Sequence, residues 1–233
     1  MSMNSQIIDL RSDTVTLPSE DMLNAIKSVK LGDDVFSEDP TVNSLQEKAA
    51  STMGKEDALL VPSGTMGNLV SILAHCNRGD EVILGDQAHT FLYEAGGISA
   101  FGGIHSRQLK NNDDGTIDLD QIEASIREEN VHFPPTTLIS LENTHNRCFG
   151  APLTPDYTSK VSEIAKKNNC TVHLDGARLF NASVALNLDV KELTKDVDSL
   201  TFCLSKGLSS PVGSIVCGTS DFIKKARHLR KAL

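Results

Sequence analysis

The sequence predicts an α/β fold with a mostly parallel sheet flanked by helices. Short apolar runs alternate along the chain with segments of helical periodicity, which is typical of this class. The runs are nearly continuously apolar, as expected of strands that are buried on both faces of a parallel sheet. At 233 residues the chain is long enough for one large domain or two small ones.

Two helices are predicted before the first strand. Ser19 can cap a helix that places Met22 and Ile26 on one apolar face. Thr41 can cap a second helix, which Gly54 ends. Six strands and five helices are expected after them, because each apolar run is bounded by Gly, Pro, Asn or Asp. The strands are expected at 58–61, 81–84, 138–141, 171–174, 200–204 and 214–217, and the helices at 66–75, 119–127, 158–168, 179–187 and 221–233.

Composition excludes several classes of protein. Hydrophobic residues make up 39% and charged residues 23%, so the chain is not wholly disordered. No apolar run is long enough to span a bilayer, and a net charge of −9 argues against nucleic-acid binding. The five cysteines are scattered without a CxxC pair, which favours free thiols in the cytoplasm and no metal site.

Three short segments contain residue types that are suited to ligand binding or catalysis. In the first, a strand leads into Ser63, Gly64 and Thr65 before an apolar helix. Small residues and free amides at a helix start suit a phosphate, although a plain strand-to-helix turn uses the same residues. In the second, Asp175 ends a buried strand, where ligands of open α/β sheets bind; a helix N-cap is the alternative.

The third segment places Lys206 after another strand. Most such lysines are simply solvated, but a partly desolvated amine can attack carbonyl groups. The three segments together match what a pyridoxal-phosphate enzyme needs. These are a phosphate seat, an acid for the pyridinium nitrogen and a lysine that forms a Schiff base.

Longer motifs show a resemblance to a known family. They are LRSDTVT (10–16), GDDVFSEDPT (32–41), VPSGTMGN (61–68), GDEVILGDQAH (79–89), LENTHNR (141–147), HLDGARLFNAS (173–183) and CLSKGL (203–208). The sequence resembles the pyridoxal-phosphate threonine aldolases, which have the type I, aspartate-aminotransferase-like fold. The resemblance implies that residues 1–233 form the large cofactor-binding domain, with an N-terminal segment at 1–45.

The resemblance also implies roles for individual residues. Lys206 would bond the cofactor, Asp175 would pair with its ring nitrogen, and Ser63, Gly64 and Thr65 would seat its phosphate. Further roles are implied for side chains around the ring and the substrate: His89 (stacking on the ring), Arg178 and Ser12 (substrate carboxylate, Arg178 also near the cofactor), Tyr93 and His132 (substrate hydroxyl side) and Lys231 (a neighbouring subunit's phosphate). The base that takes the proton of the substrate hydroxyl is His89 or a bound water. Core packing for Tyr93 and a solvated helix face for Lys231 are the alternatives.

The implied reaction is cleavage of L-threonine or L-allo-threonine to glycine and acetaldehyde, in a homodimer or homotetramer. Members of the family continue into a glycine-rich segment and a smaller C-terminal domain, neither of which this sequence contains. A truncated chain with weak or absent turnover is therefore expected. Two alternatives stay open: another type I enzyme, such as a glycine hydroxymethyltransferase-like enzyme or a β-eliminating lyase, and a catalytically silent protein that acts through subunit association.

Overall fold

The computed structural model describes residues 8–233, so part of the predicted 1–45 segment, residues 1–7, lies outside the described residues. One sheet contains β1 (Asp57–Val61), β2 (Glu81–Gly85), β3 (His105–Leu109), β4 (Thr136–Glu142), β5 (Thr171–Asp175), β6 (Ser199–Cys203) and β7 (Ser214–Gly218). The helices are α1 (Glu20–Ser28), α2 (Pro40–Met53), α3 (Gly64–His75), α4 (His89–Leu92), α5 (Gly97–Gly102), α6 (Leu119–Ser125), α7 (Pro155–Lys167), α8 (Leu179–Leu186), α9 (Val190–Thr194) and α10 (Ser220–Ala232).

The strands lie in the order β1-β7-β6-β5-β4-β2-β3. All neighbouring pairs are parallel except those of β7, which runs antiparallel to both β1 and β6. The predicted mostly parallel sheet is thus confirmed. Because β4, β5 and β6 run in the same direction, Glu142, Asp175 and Cys203 all end strands at one edge of the sheet, which we call the carboxyl edge.

The sheet separates two layers of apolar packing. Successive side chains of β2 point to opposite faces, so Ile83 packs in one buried cluster and Val82 and Leu84 in another. Strands β2, β6 and β7 are buried along their whole length. This burial on both faces explains why their sequences are continuously apolar.

Helix ends follow the sequence signals with one correction. Ser19 caps α1 by accepting a hydrogen bond from the Met22 amide, and Gly54 ends α2 in the left-handed conformation at φ 64°. The cap of α2 is Asp39 rather than Thr41, because Pro40 occupies the first helical position and the Asp39 carboxylate accepts two backbone hydrogen bonds.

Some expectations about the elements differ from the structure. The predicted apolar face of α1 is not covered, and Ile26 is 53% exposed. Strand β3 and the short helices α4, α5 and α9 were not predicted, and α7 begins at Pro155 rather than at residue 158. All five cysteines are free and buried, as expected. In the described part of the chain, every helix is too short or too polar to cross a bilayer.

Candidate active site

Asp175 and Lys206 lie at the same edge of the sheet. Asp175 is the last residue of β5 and is only 4% exposed, while Lys206 follows the neighbouring parallel strand β6 and is half-buried. The carboxylate of Asp175 accepts a hydrogen bond from the Ala177 amide at 3.1 Å, but it does not cap α8, which begins after Arg178. The carboxyl edge therefore presents a buried acid and an amine from adjacent strands.

Helix α3 begins at this edge as well. Ser63 caps the helix by accepting a hydrogen bond from the Met66 amide at 3.1 Å, and the helix starts at Gly64. Val61, the end of β1, pairs with Ser214, which in turn pairs with Cys203 at the end of β6. A Cβ on Gly64 would lie 2.9 Å from the Cys203 sulfur, so only glycine lets the helix start approach β6 this closely. The amides of the first turn of α3 thus face the carboxyl edge as hydrogen-bond donors.

A chain of hydrogen bonds joins His89 to Asp175. The amide nitrogen of Asn68, in α3, donates to Asp175 Oδ2 at 2.8 Å and to Glu94 Oε1 at 2.8 Å. The same Glu94 oxygen lies 3.0 Å from His89 Nδ1. One potential ligand atom each of His89, Glu94 and Asp175 lies within 4.8 Å of the others. The ring-stacking and nitrogen-pairing residues expected from the sequence are therefore held in one network.

Contacts of its side-chain oxygen fix the orientation of the Asn68 amide. Its oxygen accepts a hydrogen bond from Thr201 Oγ1 at 2.9 Å and lies 3.3 Å from His173 Nε2. His173 is fully buried, and burial lowers its pKa to about 3, so the ring is neutral at ordinary pH. Because the Asn68 oxygen faces these groups, its nitrogen must face the two carboxylates.

The network is rich in negative charge. Glu142, at the end of β4, accepts hydrogen bonds from the amides of His89 and Asn146 at 2.8 and 2.9 Å. Burial, and then the charge of Asp175, raise the pKa of Glu142 to about 7. Burial likewise raises the pKa of Glu94. The hydrogen bond to Glu94 raises the pKa of His89, despite an opposing effect of burial. These directions describe a site that favours a bound cation.

Arg178 is paired with Asp13 in the structure, and its contact with a substrate carboxylate stays a prediction. The guanidinium bonds Asp13 through Nε to Oδ2 at 2.9 Å and Nη2 to Oδ1 at 2.7 Å. The side of the guanidinium formed by Nε and Nη2 therefore faces Asp13. Ser12 lies next to Asp13, where its hydroxyl caps the short 3₁₀ turn Asp13–Val15.

The same N-terminal turn contacts the lysine segment. Thr16 Oγ1 donates to the Lys206 carbonyl at 2.6 Å, and the Ser209 amide donates to that carbonyl at 2.8 Å. Burial raises the pKa of the Cys203 thiol, while the nearby charge of Lys206 lowers it. Ser12, Asp13, Arg178 and Lys206 therefore form one group beside the carboxyl edge.

Three predicted residues have different surroundings. The Tyr93 ring lies 5.6 Å from the His89 ring, is 52% exposed and is not packed in the core. His132 does not join the site of its own chain, because it precedes β4 in the sequence and so lies towards the opposite end of the parallel strands. Lys231 is exposed near the end of α10, and its contact with a neighbouring subunit stays a prediction.

Sequence reasoning missed Asn68, Glu94 and Glu142. Glu142 carries the signal that identified Asp175, an acidic residue at the end of a buried strand. Asn68 lies in the motif that contains Ser63, but its contact with Asp175 spans 107 positions in the sequence. Glu94 precedes a glycine pair and has no local pattern that marks it as buried.

Comparison with known proteins identifies the family of the chain. The family model described as "Beta-eliminating lyase" matches residues 9–233. The chain belongs to this family. The match covers every described element of the sheet and all the site residues described above.

Relatives in the beta-eliminating lyase family are similar along nearly the whole chain. Low-specificity L-threonine aldolase 1 of Arabidopsis thaliana is 53% identical over 97% of this chain, and low specificity L-threonine aldolase of Escherichia coli K12 is 48% identical over 97%. The chain spans 64% and 67% of the lengths of these two curated relatives. The solved structure of Leishmania major threonine aldolase shares the fold, with a TM-score of 0.81 at 20% identity over 95% of this chain and 65% of that one.

Proposed function

We propose that this protein is a pyridoxal-phosphate-dependent lyase that cleaves β-hydroxy amino acids such as L-threonine and L-allo-threonine to glycine and an aldehyde. The observation that carries the proposal is that buried Asp175 ends β5 and Lys206 follows the adjacent parallel strand β6, at the edge where α3 begins. The names of relatives at 53% and 48% identity support the same substrate class.

The residues present fit pyridoxal phosphate. Lys206 offers the amine, the start of α3 at Ser63, Gly64 and Thr65 offers donors for the phosphate, and Asp175 offers a carboxylate for a protonated ring nitrogen. Burial raises the pKa values of Glu94 and Glu142, and the charge of Asp175 raises both further. A cationic ring nitrogen is the charge that such a site stabilises best.

When bound, pyridoxal phosphate supplies an electron-withdrawing ring that stabilises the electron pair left on Cα as the Cα–Cβ bond breaks. The protein's own groups do the remaining work. Asp175 would hold the ring nitrogen with its carboxylate, which Asn68 keeps in place through a hydrogen bond. His89 lies within the same network and is the group that accepts the proton of the substrate's β-hydroxyl.

The substrate carboxylate has a binding group in Arg178. Asp13 bonds two of the guanidinium N–H groups, so a substrate carboxylate either replaces Asp13 or binds the remaining N–H groups. Ser12 adjoins this position and can donate its hydroxyl hydrogen. We further propose a homodimer or homotetramer in which Lys231 reaches the phosphate of a neighbouring copy.

The test is an assay of the 233-residue chain with pyridoxal phosphate and either L-threonine or L-allo-threonine. We expect slow release of glycine and acetaldehyde in equal amounts without any folate, and no product from Lys206→Ala, which lacks the amine. Product that requires folate would indicate a glycine hydroxymethyltransferase-like enzyme instead. If the wild-type chain binds pyridoxal phosphate but releases no glycine, the cleavage activity proposed here is contradicted.

A further inference from the structure

The pair formed by Glu94 and His89 has a geometry that specifies which nitrogen of the imidazole carries hydrogen. Glu94 is 5% exposed, and its Oε1 lies 3.0 Å from His89 Nδ1. The same Oε1 accepts a hydrogen bond from the Asn68 amide nitrogen at 2.8 Å. An oxygen that accepts from Asn68 presents its second lone pair to the imidazole, so Nδ1 is the nitrogen that bears hydrogen.

The direction of the Asn68 donor is itself fixed. Thr201 Oγ1 donates to the Asn68 oxygen at 2.9 Å, which leaves the amide nitrogen for the carboxylates. A flipped Asn68 would place its oxygen against both Glu94 and Asp175 and would lose these hydrogen bonds. Asn68 therefore fixes the orientation of the Glu94 carboxylate, and Glu94 in turn fixes the orientation of the His89 ring.

We propose, on the basis of the function proposed above, that Glu94 is a positioning residue that holds His89 with Nδ1 protonated, so that Nε2 is the nitrogen that takes and returns the substrate proton. The arrangement of acid, imidazole and free nitrogen is the one by which a carboxylate orients a histidine base in other enzymes. Asn68 supports Glu94 in this role. The β-hydroxyl loses its proton to Nε2, and the Glu94 carboxylate stabilises the resulting imidazolium.

The charges around His89 are consistent with this role. Glu94 faces the ring from the segment between α4 and α5, Asp175 from the end of β5 and Glu142 from the end of β4, and each raises the pKa of His89. Burial of the ring opposes them. The Tyr93 ring packs beside His89 at 5.6 Å and receives a hydrogen bond from Arg147 at its hydroxyl. Of these neighbours, only Glu94 bonds a ring nitrogen of His89 directly.

The decisive experiment is a nitrogen-15 NMR titration of the histidines in the 233-residue chain without cofactor, with His89→Gln used to assign the signal. We expect the neutral His89 ring to carry hydrogen on Nδ1 and to titrate above the ordinary histidine value. In Glu94→Gln, an amide oxygen can still accept from Nδ1 but the negative charge is gone. The proton affinity of His89 should then fall by about tenfold, one pKa unit. Glu47→Gln, an exposed change in α2, is the matched control and should leave the titration unchanged.

Kinetics give a second readout in the cofactor-loaded chain. In the pH–activity profile, the loss of activity at low pH should occur at a lower pH in Glu94→Gln, because His89 then loses its proton more easily. Glu94→Asp retains the charge, so its activity should be lost at nearly the same pH as that of the wild type. A neutral wild-type His89 with hydrogen on Nε2, or an identical titration in Glu94→Gln, would overturn the proposal. The tautomer measurement does not need turnover, so a chain with the expected tautomer but no threonine cleavage would count against the function alone.

Discussion

Single polar residues inside the apolar core determine the geometry of the site. Asn68 is 1% exposed and serves two carboxylates at once, so its replacement would remove one hydrogen-bond donor from each of Asp175 and Glu94. Buried polar groups that lose a partner typically cost about 1–3 kcal/mol each. The same reasoning applies at the N-terminal turn, where Asp13 and Arg178 satisfy each other.

The ion pair between Asp13 and Arg178 predicts how stability depends on pH. Burial raises the pKa of Asp13, but the hydrogen bonds and charge of Arg178 outweigh it, so the pKa lies below 3.8. A depressed pKa contributes stability above the unfolded value, and this contribution is lost as the pH falls through the folded value. Asp13→Asn should therefore reduce the free energy of unfolding at neutral pH by about 1 kcal/mol, measured by urea denaturation.

The difference between Asp13→Asn and the wild type should shrink as the pH falls below 3.8, the ordinary pKa of the carboxyl group. Asp9→Asn is a matched control, since it removes an exposed pair with the adjacent Arg11. We expect no change in unfolding from that control. A difference for Asp13→Asn that is equally large at neutral and strongly acidic pH would contradict the role assigned to the charge.

Among the elements of the site, the start of α3 packs tightly against β6. A Cβ at Gly64 would lie 2.9 Å from the Cys203 sulfur, and a Cβ at Gly67 would lie 3.0 Å from a methyl group of Thr201. The helix can therefore bring its first amides to the carboxyl edge only because small residues face β6. Because of this packing, the amides at Ser63, Gly64 and Thr65 lie where they can bind a phosphate.

Gly64→Ala should separate α3 from β6. We expect a loss of about 1–3 kcal/mol in the free energy of unfolding, since added atoms in a packed interior force displacement. Affinity for pyridoxal phosphate, measured by fluorescence titration, should fall with it. Removing the opposing sulfur in Gly64→Ala/Cys203→Ala should restore part of both quantities. An alanine variant as stable as the wild type would show that the contact has room to relax.

The elements also show where sequence reasoning succeeds. Strands such as β2, β6 and β7 were predictable because burial on both faces leaves a continuous apolar run. Strand β3 has the sequence HSRQL and lies at the edge of the sheet, where polar residues are tolerated and the signal disappears. The cap of α2 was assigned to Thr41, although Pro40 at the first helical position indicates Asp39.

At the scale of the whole molecule, the parallel sheet brings together residues that are distant in the sequence. Asp175 and Lys206 were predictable because each follows a recognisable strand, and parallel neighbours end at the same edge. The engagement of Arg178 by Asp13 was not predictable, since it joins positions 165 residues apart. The chain spans 64% and 67% of the lengths of the two threonine aldolases compared above.

The most direct measurement is the location of the cofactor bond. The chain is incubated with pyridoxal phosphate, reduced with borohydride, digested and analysed by peptide mass spectrometry. We predict one dominant phosphopyridoxyl adduct, on Lys206, and a weaker yield of that adduct in Asp175→Asn at limiting cofactor. An adduct spread over exposed lysines such as Lys224, with none on Lys206, would contradict the assignment of this site.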